Sequence, residues 1–568
     1  MPAQQIAHLI CEGFDTFYAE FMRLTRAART FFDAGDWLRL QEQQQARIDL
    51  YQRFVGDTLD SLTHLTRVRP RDLELWKQAH VDYADLVAGR VDVEVAETFF
   101  NAITRKIFNT VGVNAQIEFL EGPLGRHADT LSPGLLRRFA WDDDLHALLR
   151  RILSHPRPAI RWRHLHRDLS YLVARIEAEC PLLVDGGRPD YVEVVKTLFF
   201  RPKEGYVVAR IVRGRQATPL VIPVQSRHDG MVVDGVLLTE TAVMPVFSST
   251  RSYLFVDVIK PSTLVDFLGS LMPKLSRSEL YIAIAHHRHG KSLIYRELVD
   301  HLRDSDDALV IAPGIRGLVM TVFTMPSYRN VFKIIRDEPE KAGVGRGSVL
   351  QSYRDVFRGQ RVGRLADTQE FEFLAFDRAR FEPACLQELQ DKAPSQVWVE
   401  GPRVVIQHAY IEEKMTPLDL YLADASLDDA VRALLDYGTA IKELAAHNIF
   451  AGDLLWKNFG VNRFGRLVLY DYDEIRPLLD CNFRAIPPPR SLEDEMSAQP
   501  YYSVRENDVF PEEWLPFVAP RRPPPLREAF MDVHAELFEP GFWRGVQQDL
   551  VAGRVRVNLP YASRAEGS

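Results

Sequence analysis

The chain has 568 residues, of which 46% are apolar and 26% charged, and its formal net charge is −8. This composition is typical of globular domains and excludes collagen, coiled coils and intrinsic disorder. The acidic balance argues against a dedicated nucleic-acid-binding protein, because such proteins present a basic face to phosphates, and the length predicts roughly two to four domains.

The sequence also restricts the cellular environment. No stretch approaches the roughly 18 consecutive apolar residues of a membrane-spanning helix, and residues 1–30 lack the uninterrupted apolar core of a signal peptide. Four widely spaced cysteines, without a C-x-x-C pair, form neither a disulfide scaffold nor a zinc ribbon. We therefore expect a cytoplasmic protein with reduced thiols and with neither a membrane nor a nucleic-acid partner.

The N-terminal third has the periodicity of helices. Apolar residues recur at steps of three or four and form one stripe along the first segment: Ile6, Ile10, Phe14, Phe17, Phe21 and Leu24. A second helix is predicted around residues 38–62. Further helices are predicted at 71–89, 92–110, 144–154 and 167–179.

From about residue 190, β-branched runs replace the helical pattern. Residues 206–212, 219–224 and 230–239 are separated by turn-forming segments and predict antiparallel strands, and 253–259 is a further candidate. Helices are expected to return at 263–272 and 291–304.

A second composite unit begins near residue 307. Apolar runs at 308–325, 330–335 and 404–416 predict strands, and residues 426–448 have the pattern of an amphipathic helix. Residues 363–376 are also predicted to form a helix, with acidic side chains near its start.

Residues 449–474 hold the most informative pattern in the chain. Asp453 and Asn458 have the spacing D-x-x-x-x-N, and the strand-like runs 459–462 and 466–471 follow as a predicted hairpin that ends in Asp471. Phosphoryl transfer needs a carboxylate that orients the hydroxyl nucleophile and oxygen ligands for Mg²⁺. The order therefore predicts a site of the protein-kinase type. Asp453 would orient the nucleophile, and Asn458 and Asp471 would hold the metal.

Residues for the nucleotide are predicted upstream. Gly314 and Gly317 in APGIRGL would let backbone N–H groups approach phosphate oxygens. Lys333 follows within the apolar run NVFKII, where an unpaired lysine would be costly to bury. We expect this lysine to contact nucleotide phosphates and to pair with a helix carboxylate. The candidate partners are Asp367, Glu370 and Glu372.

Several segments carry a recognisable combination of motifs: AETFFN (96–101), RSYLFV (251–256), APGIRGLVM (312–320), NVFKII (330–335), VGRLADTQEFEF (362–373), NIFAGDLLWKNFGV (448–461), VLYDYDEI (468–475), NFRAIPPPR (482–490) and YYSVRENDVFPEEW (501–514). Together they closely resemble the isocitrate dehydrogenase kinase/phosphatase family. The similarity extends from one end of the chain to the other.

The resemblance implies an α+β fold in two parts. Residues 1–306 would form a mostly helical regulatory domain with a small antiparallel sheet, and residues 307–568 a bilobal protein-kinase-like domain. The implied activity is phosphorylation of a serine of isocitrate dehydrogenase, which inactivates that enzyme, and removal of the same phosphate. This switch controls flux between the tricarboxylic acid cycle and the glyoxylate bypass. ATP, Mg²⁺ or Mn²⁺, ATPase activity and allosteric control by AMP are further implications.

The resemblance also assigns roles to individual residues. It implies that Asp367 and Asp453 are catalytic and that Asn458 and Asp471 bind the metal. It implies nucleotide contacts for Ala312, Pro313, Gly314, Ile315, Arg316, Gly317, Leu318 and Lys333.

The chain departs from ordinary protein kinases in several places. Ala451 and Gly452 replace the His-Arg before the catalytic aspartate, and Asp471-Tyr472-Asp473 replaces Asp-Phe-Gly. The sequence lacks the G-x-G-x-x-G loop and an Ala-Pro-Glu triplet, which favours control by a bound ligand over activation-loop phosphorylation. Lys457 follows Asp453 by four residues rather than two, and its contact with phosphate is a hypothesis.

No separate phosphatase motif is visible, which predicts that one site serves both reactions. The phosphate acceptor would be either ADP or a water positioned by Asp367 or Asp473. Two other functions are open: a small-molecule kinase of the aminoglycoside or choline type, which shares the form G-D-x-x-x-x-N, and a non-catalytic pseudokinase scaffold. The large N-terminal domain opposes the first alternative. The pseudokinase alternative is opposed by the retention of four residues together: Lys333, Asp453, Asn458 and Asp471.

Overall fold

The computed structural model describes residues 3–65, 71–120, 134–155, 160–227, 229–248, 250, 253–341, 343–358, 363–489, 491, 496, 501–518, 524–554, 559–561 and 563–564. The chain divides into two compact units. One comprises residues 1–305 together with 559–568, and the other comprises residues 306–558. Among the described residues, no helix is both long and apolar enough to cross a membrane.

Helices dominate the first unit because long stretches of its sequence repeat an apolar stripe. In the first helix that stripe is buried from Ile6 to Phe32, as expected for a helix with one face in a core. The helices are α1 (Ala3–Ala34), α2 (Trp37–Leu65), α3 (Leu73–Val87), α4 (Val93–Phe108), α5 (Leu145–Leu153), α6 (Leu165–Glu179), α7 (Pro181–Val184), α8 (Glu240–Val243), α9 (Pro261–Leu271), α10 (Arg277–Ala283) and α11 (His287–Asp304).

The first unit also contains an antiparallel sheet. Its strands are β1 (Leu136–Ala140), β2 (Tyr191–Val195), β3 (Phe199–Arg201), β4 (Glu204–Arg213), β5 (Gln216–Arg227) and β6 (Gly230–Val233). Their order is β1-β2-β4-β5-β6, with β3 paired to β4. β4 and β5 are buried along most of their length, so both faces of the sheet are covered.

The C-terminal residues pack with the first unit. Arg564 donates a hydrogen bond of 2.9 Å to the fully buried carboxylate of Asp168. Ser563 and Tyr561 donate to the two carboxylate oxygens of Asp234 at 2.7 and 3.0 Å. The predicted catalytic domain extends to residue 568, whereas these contacts tie the tail to the sheet and helices of the preceding unit.

The second unit is built around a six-stranded antiparallel sheet of order β10-β12-β9-β8-β7, with β11 also paired to β12. A smaller three-stranded sheet has the order β13-β15-β16. The strands are β7 (Val310–Ile311), β8 (Met320–Thr324), β9 (Asn330–Ile335), β10 (Gln369–Asp377), β11 (Val397–Glu400), β12 (Arg403–Glu413), β13 (Thr416–Pro417), β14 (Ile449–Phe450), β15 (Phe459–Val461), β16 (Leu467–Leu469), β17 (Arg476–Pro477), β18 (Asn482–Phe483) and β19 (Asp508–Val509).

The helices of the second unit are α12 (Arg346–Arg358), α13 (Pro383–Lys392), α14 (Leu418–Asp424), α15 (Leu427–Ala446), α16 (Leu515–Val518), α17 (Pro524–His534) and α18 (Pro540–Val551). Helix α15 lies at the centre of the core. Its N-terminus is capped by Ser426, whose hydroxyl accepts from the N–H of Asp429 at 3.2 Å. The helix buries Ala430, Leu434, Tyr437, Ile441 and Leu444, which follow the spacing of one helical face.

The α+β fold class and the predicted helices of the first unit are confirmed. The prediction of a helix over 363–376 is wrong, because β10 occupies residues 369–377. Two predicted strands are also shorter than expected. Of residues 230–239 only Gly230–Val233 forms a strand, and Phe255 in 253–259 makes an isolated bridge to Phe200.

Candidate active site

The loop after α15 carries Asp453 and Asn458. Gly452 has a φ of +73°, and a Cβ at this position would lie 2.6 Å from atoms of Glu474, so only glycine fits the turn before Asp453. The Asp453 carboxylate accepts from the N–H of Leu455 at 3.1 Å, and the Asn458 side-chain amide donates to the Asp453 carbonyl at 3.2 Å. The loop is therefore held by its own hydrogen bonds.

The predicted hairpin is present. β15 and β16 pair antiparallel, with Phe459 opposite Leu469. Tyr470 continues from β16 and its N–H donates to the Asn458 carbonyl at 3.1 Å, so the hairpin brings the segment that contains Asp471 beside the Asn458 loop. This placement follows from local sequence, because both elements belong to one short hairpin.

Asp471 and Asp473 follow the hairpin. Both line a cleft whose other lining residues include Lys333, Asp453 and Asn458. Burial and the neighbouring Asp471 carboxylate raise the pKa of Asp473 to about 7. Among the described residues, the buried Oδ1 atom of Asp473 has no hydrogen-bond partner. Two converging carboxylates with an unsatisfied oxygen, beside the Asn458 amide, form a set of hard oxygen ligands that suits Mg²⁺ or Mn²⁺.

Lys333 lies on β9 and reaches the same cleft. Its Nζ atom lies 2.7 Å from Oε2 of Glu412 and donates to the Tyr470 carbonyl at 2.8 Å. The expected pairing with Asp367, Glu370 or Glu372 is wrong. The partner is a strand carboxylate on β12 instead of a helix carboxylate, because residues 369–377 form a strand whose exposed Glu370 pairs with His408 at 2.8 Å.

The segment 312–318 connects β7 and β8 and lines the cleft along its whole length. Gly314 has a φ of +116°, which favours glycine. A Cβ on Gly317 would lie 3.2 Å from the Met320 carbonyl oxygen. Arg316 is paired with Glu388 of α13 at 2.9 Å, so the middle of the segment contacts a helix.

The cleft brings together most of the residues singled out from the sequence: Ala312, Pro313, Gly314, Ile315, Arg316, Gly317, Leu318, Lys333, Asp453, Lys457, Asn458, Asp471 and Asp473. Asp367 and Glu370 are not among its lining residues. Asp367 accepts from the side chain of Gln369 at 3.0 Å.

Several charged residues that line the cleft were not predicted from the sequence, among them Glu412 and Lys341. Glu412 pairs with Lys333, and Lys341 pairs with Glu474 at 2.7 Å. The sequence marks Glu412 only as one of two consecutive acids that end the apolar run of β12 in the segment AYIEEK. No pattern in the sequence points to Lys341.

Known proteins resemble the chain over both units. A profile of the isocitrate dehydrogenase kinase/phosphatase (AceK) regulatory domain matches residues 7–306, and one of the kinase domain matches residues 307–563. An isocitrate dehydrogenase kinase/phosphatase of Anaeromyxobacter sp. (strain Fw109-5) is 40% identical over 561 residues, which cover 98% of this chain and 96% of the relative. That of Anaeromyxobacter dehalogenans (strain 2CP-C) is 40% identical over 574 residues, with 98% and 97% covered. The chain therefore belongs to the isocitrate dehydrogenase kinase/phosphatase family.

Proposed function

We propose that this protein transfers a phosphoryl group from ATP to a serine of isocitrate dehydrogenase and also removes that phosphate. The observation that carries the proposal is a single cleft lined by Lys333, Asp453, Asn458 and Asp471 in a chain of this family. Phosphorylation would inactivate the dehydrogenase and divert carbon from the tricarboxylic acid cycle into the glyoxylate bypass. We propose a cytoplasmic location, where this substrate and ATP would meet the enzyme.

Each side chain has a defined role in this proposal. Asp453 accepts a hydrogen bond from the serine hydroxyl and orients its oxygen toward the phosphorus. Lys333 neutralises phosphate oxygens, and the backbone of 312–318 with Gly314 and Gly317 covers them. Asn458 and Asp471 would hold a divalent cation, with Asp473 as a further ligand, and the bound cation would neutralise charge that builds up on the transferred group.

We propose that the same cleft serves the phosphatase and ATPase activities. In the phosphatase reaction, phosphoserine would transfer its phosphoryl group to water or ADP and leave as the serine hydroxyl; in the ATPase reaction, ATP would transfer its terminal phosphoryl group to water and leave as ADP. Asp473 is the better placed of the two water-positioning candidates, because it lines the cleft whereas Asp367 does not. An AMP-sensitive balance between the two reactions completes the proposal. Residues 1–306 would carry this regulation and residues 307–568 the chemistry, apart from the tail from residue 559 that belongs to the first unit.

The test uses the purified protein with isocitrate dehydrogenase, Mg-ATP and AMP, and follows phosphate on the dehydrogenase in both directions. Wild-type protein is expected to label a serine and, with AMP, to release the label. The Asp453→Asn variant should lose about 10²–10⁴-fold in phosphorylation rate, the usual worth of a positioned proton acceptor. Label that appears on a metabolite would support the small-molecule kinase, and no Mg²⁺-dependent ATP turnover would support the scaffold.

The same experiment also tests whether one site serves both reactions. The Asp453→Asn variant should lose phosphatase activity as well, because the two reactions would pass through one arrangement of residues. Phosphatase activity that persists at the normal rate without nucleotide would contradict a shared site, and the kinase assignment would be unaffected.

A further inference from the structure

The helix that follows the lysine strand offers no carboxylate to Lys333. In protein kinases, a helix at this place in the chain supplies the glutamate that pairs with the nucleotide lysine. Here the helix is α12, and its one acidic residue, Asp355, is exposed and accepts from Gln351 at 2.8 Å. The buried residue of α12 nearest the cleft is Tyr353, whose ring stacks on Tyr410 at 4.3 Å.

Glu412 takes the place of that helix carboxylate. β12 pairs antiparallel with β9 so that Tyr410 lies opposite Lys333, which makes Glu412 the diagonal neighbour of the lysine on the same face of the sheet. Lys333 is 5% exposed and Glu412 is 2% exposed. The second carboxylate oxygen of Glu412 accepts from the Thr368 hydroxyl at 2.7 Å. The carboxylate is therefore fixed from two sides and shielded from water.

The segment around Thr368 also binds the end of the hairpin that carries Asp471. The N–H of Leu469 donates to the Arg364 carbonyl at 2.8 Å, and the Leu469 carbonyl accepts from the N–H of Ala366 at 3.0 Å. The Tyr472 hydroxyl donates to the Ala366 carbonyl at 2.9 Å. Lys333 itself binds the carbonyl of the intervening Tyr470 at 2.8 Å. The chain is thus held on both sides of Asp471.

We propose that Glu412 is the positioning residue for the nucleotide lysine, and that residues 364–368 connect it to the hairpin that presents Asp471. This inference rests on the proposed kinase function. A partner on a neighbouring strand cannot swing away as a helix can, since strand register fixes it. The lysine and the metal-binding aspartate therefore stay assembled without movement of α12 and without an activation segment.

The Glu412→Gln variant tests this proposal. It removes the charge and keeps the shape, and we expect kcat/KM for ATP to fall at least tenfold, whereas KM for isocitrate dehydrogenase stays unchanged. A fall in kcat/KM for ATP without a change in KM for isocitrate dehydrogenase distinguishes a role at Lys333 from a general loss of structure. The matched control is Asp355→Asn on α12, which should behave as the wild-type protein does. Thr368→Val, which removes only the hydroxyl that holds Glu412, should weaken ATP use in the same direction by a smaller factor.

Calorimetric titration of ATP into each full-length variant makes the outcome independent of the protein substrate. Weaker ATP binding by Glu412→Gln with normal binding by Asp355→Asn supports the proposal. Unchanged ATP affinity in Glu412→Gln, or a loss in Asp355→Asn of equal size, overturns it. If Glu412→Gln does not fold, Thr368→Val decides by the same criterion. If the wild-type protein binds ATP without phosphorylating isocitrate dehydrogenase, the proposed function fails and the titration still decides the role of Glu412.

Discussion

Replacing Arg364 by methionine is expected to destabilise the second unit strongly. The guanidinium is 2% exposed and donates to both carboxylate oxygens of Asp436 at 2.6 and 2.8 Å. It also donates to Glu443 at 2.5 Å and to the Leu467 carbonyl at 3.0 Å. The side chain therefore joins α15 to the strand that leads to Asp471. Methionine fills much of the volume and makes none of these bonds.

The size of this destabilisation follows from the two carboxylates that lose their partner, those of Asp436 and Glu443. Removing one partner of a buried ion pair costs about 3–5 kcal/mol, because the other charge stays buried without compensation. The Asp436 and Glu443 side chains are 26% and 16% exposed, so water solvates them in part and the lower end of that range applies. A loss of about 3 kcal/mol corresponds to a fall of roughly 6–12 °C in the unfolding midpoint of a domain of this size.

Differential scanning calorimetry of the full chain at pH 7 measures this shift. The control is Arg432→Met. It removes an exposed arginine of α15, which pairs with Asp429 of the same helix, and it should leave the midpoint unchanged. The double variant Arg364→Met/Asp436→Asn should recover part of the loss, since it removes one of the two carboxylates left unpaired. A fall of less than about 2 °C in Arg364→Met, or no recovery in the double variant, would refute the reasoning.

The cost of Arg364→Met also depends on pH, and two further variants test other parts of the chain. Burial alone would raise the pKa of Asp436, but its bonds to Arg364 lower it. The part of the wild-type advantage that depends on Asp436 is therefore full above about pH 4 and is lost as the pH falls further, through the lowered pKa. Gly452→Ala should lower kcat at least about tenfold, because the Cβ meets Glu474 and displaces Asp453; wild-type kcat would contradict this. Burial raises the pKa of Glu97 to about 7, so stability falls as pH rises from about 4.5 to 7. Glu97→Gln should therefore add about 3 kcal/mol at pH 8 and nothing at pH 4 in denaturant titrations, and an equal gain at both pH values would contradict this.

The parts of the site predicted from the sequence are those that depend on local order. Asp453, Asn458 and Asp471 lie within one loop and one hairpin, so their spacing along the chain already determines their neighbourhood. The long helices of the first unit were predictable for the same reason, because a stripe such as that of α1 is a property of consecutive residues.

The prediction of a helix over 363–376 is wrong because acidic residues near the start of a segment occur in an edge strand as well as in the first turn of a helix. In QEFEFLAF the apolar residues Phe371, Leu374 and Phe376 are buried while Glu370 and Glu372 are exposed, an approximate alternation that suits a strand with one face in the core. In the part of the chain that the structure describes, β10 pairs with β12 alone, and such an edge strand tolerates charged side chains on its outer face. Period-two spacing was therefore the better signal than local charge.

The partner of Lys333 could not be predicted from local sequence. Lys333 and Glu412 lie on different strands, and their contact depends on the register of β9 against β12. Register is decided by how the whole sheet buries its apolar face, which involves strands that are distant in the chain. Burial of a lysine in an apolar run correctly indicated that a partner exists, whereas the identity of the partner required the assembled sheet.

A fixed lysine–glutamate pair has a consequence for an enzyme that both adds and removes a phosphate. If one cleft serves both reactions, Lys333 and Asp471, the proposed metal ligand, have to be in place for each of them. A switch that dismantled this pair, as movement of the helix does in ordinary protein kinases, would stop both activities together and could not choose between them. Selection of one direction then has to act on which acceptor, serine hydroxyl, water or ADP, reaches the phosphorus beside Asp453. The sheet-borne Glu412 is thus the arrangement expected for a site whose chemistry is always assembled and whose direction is set by what enters it.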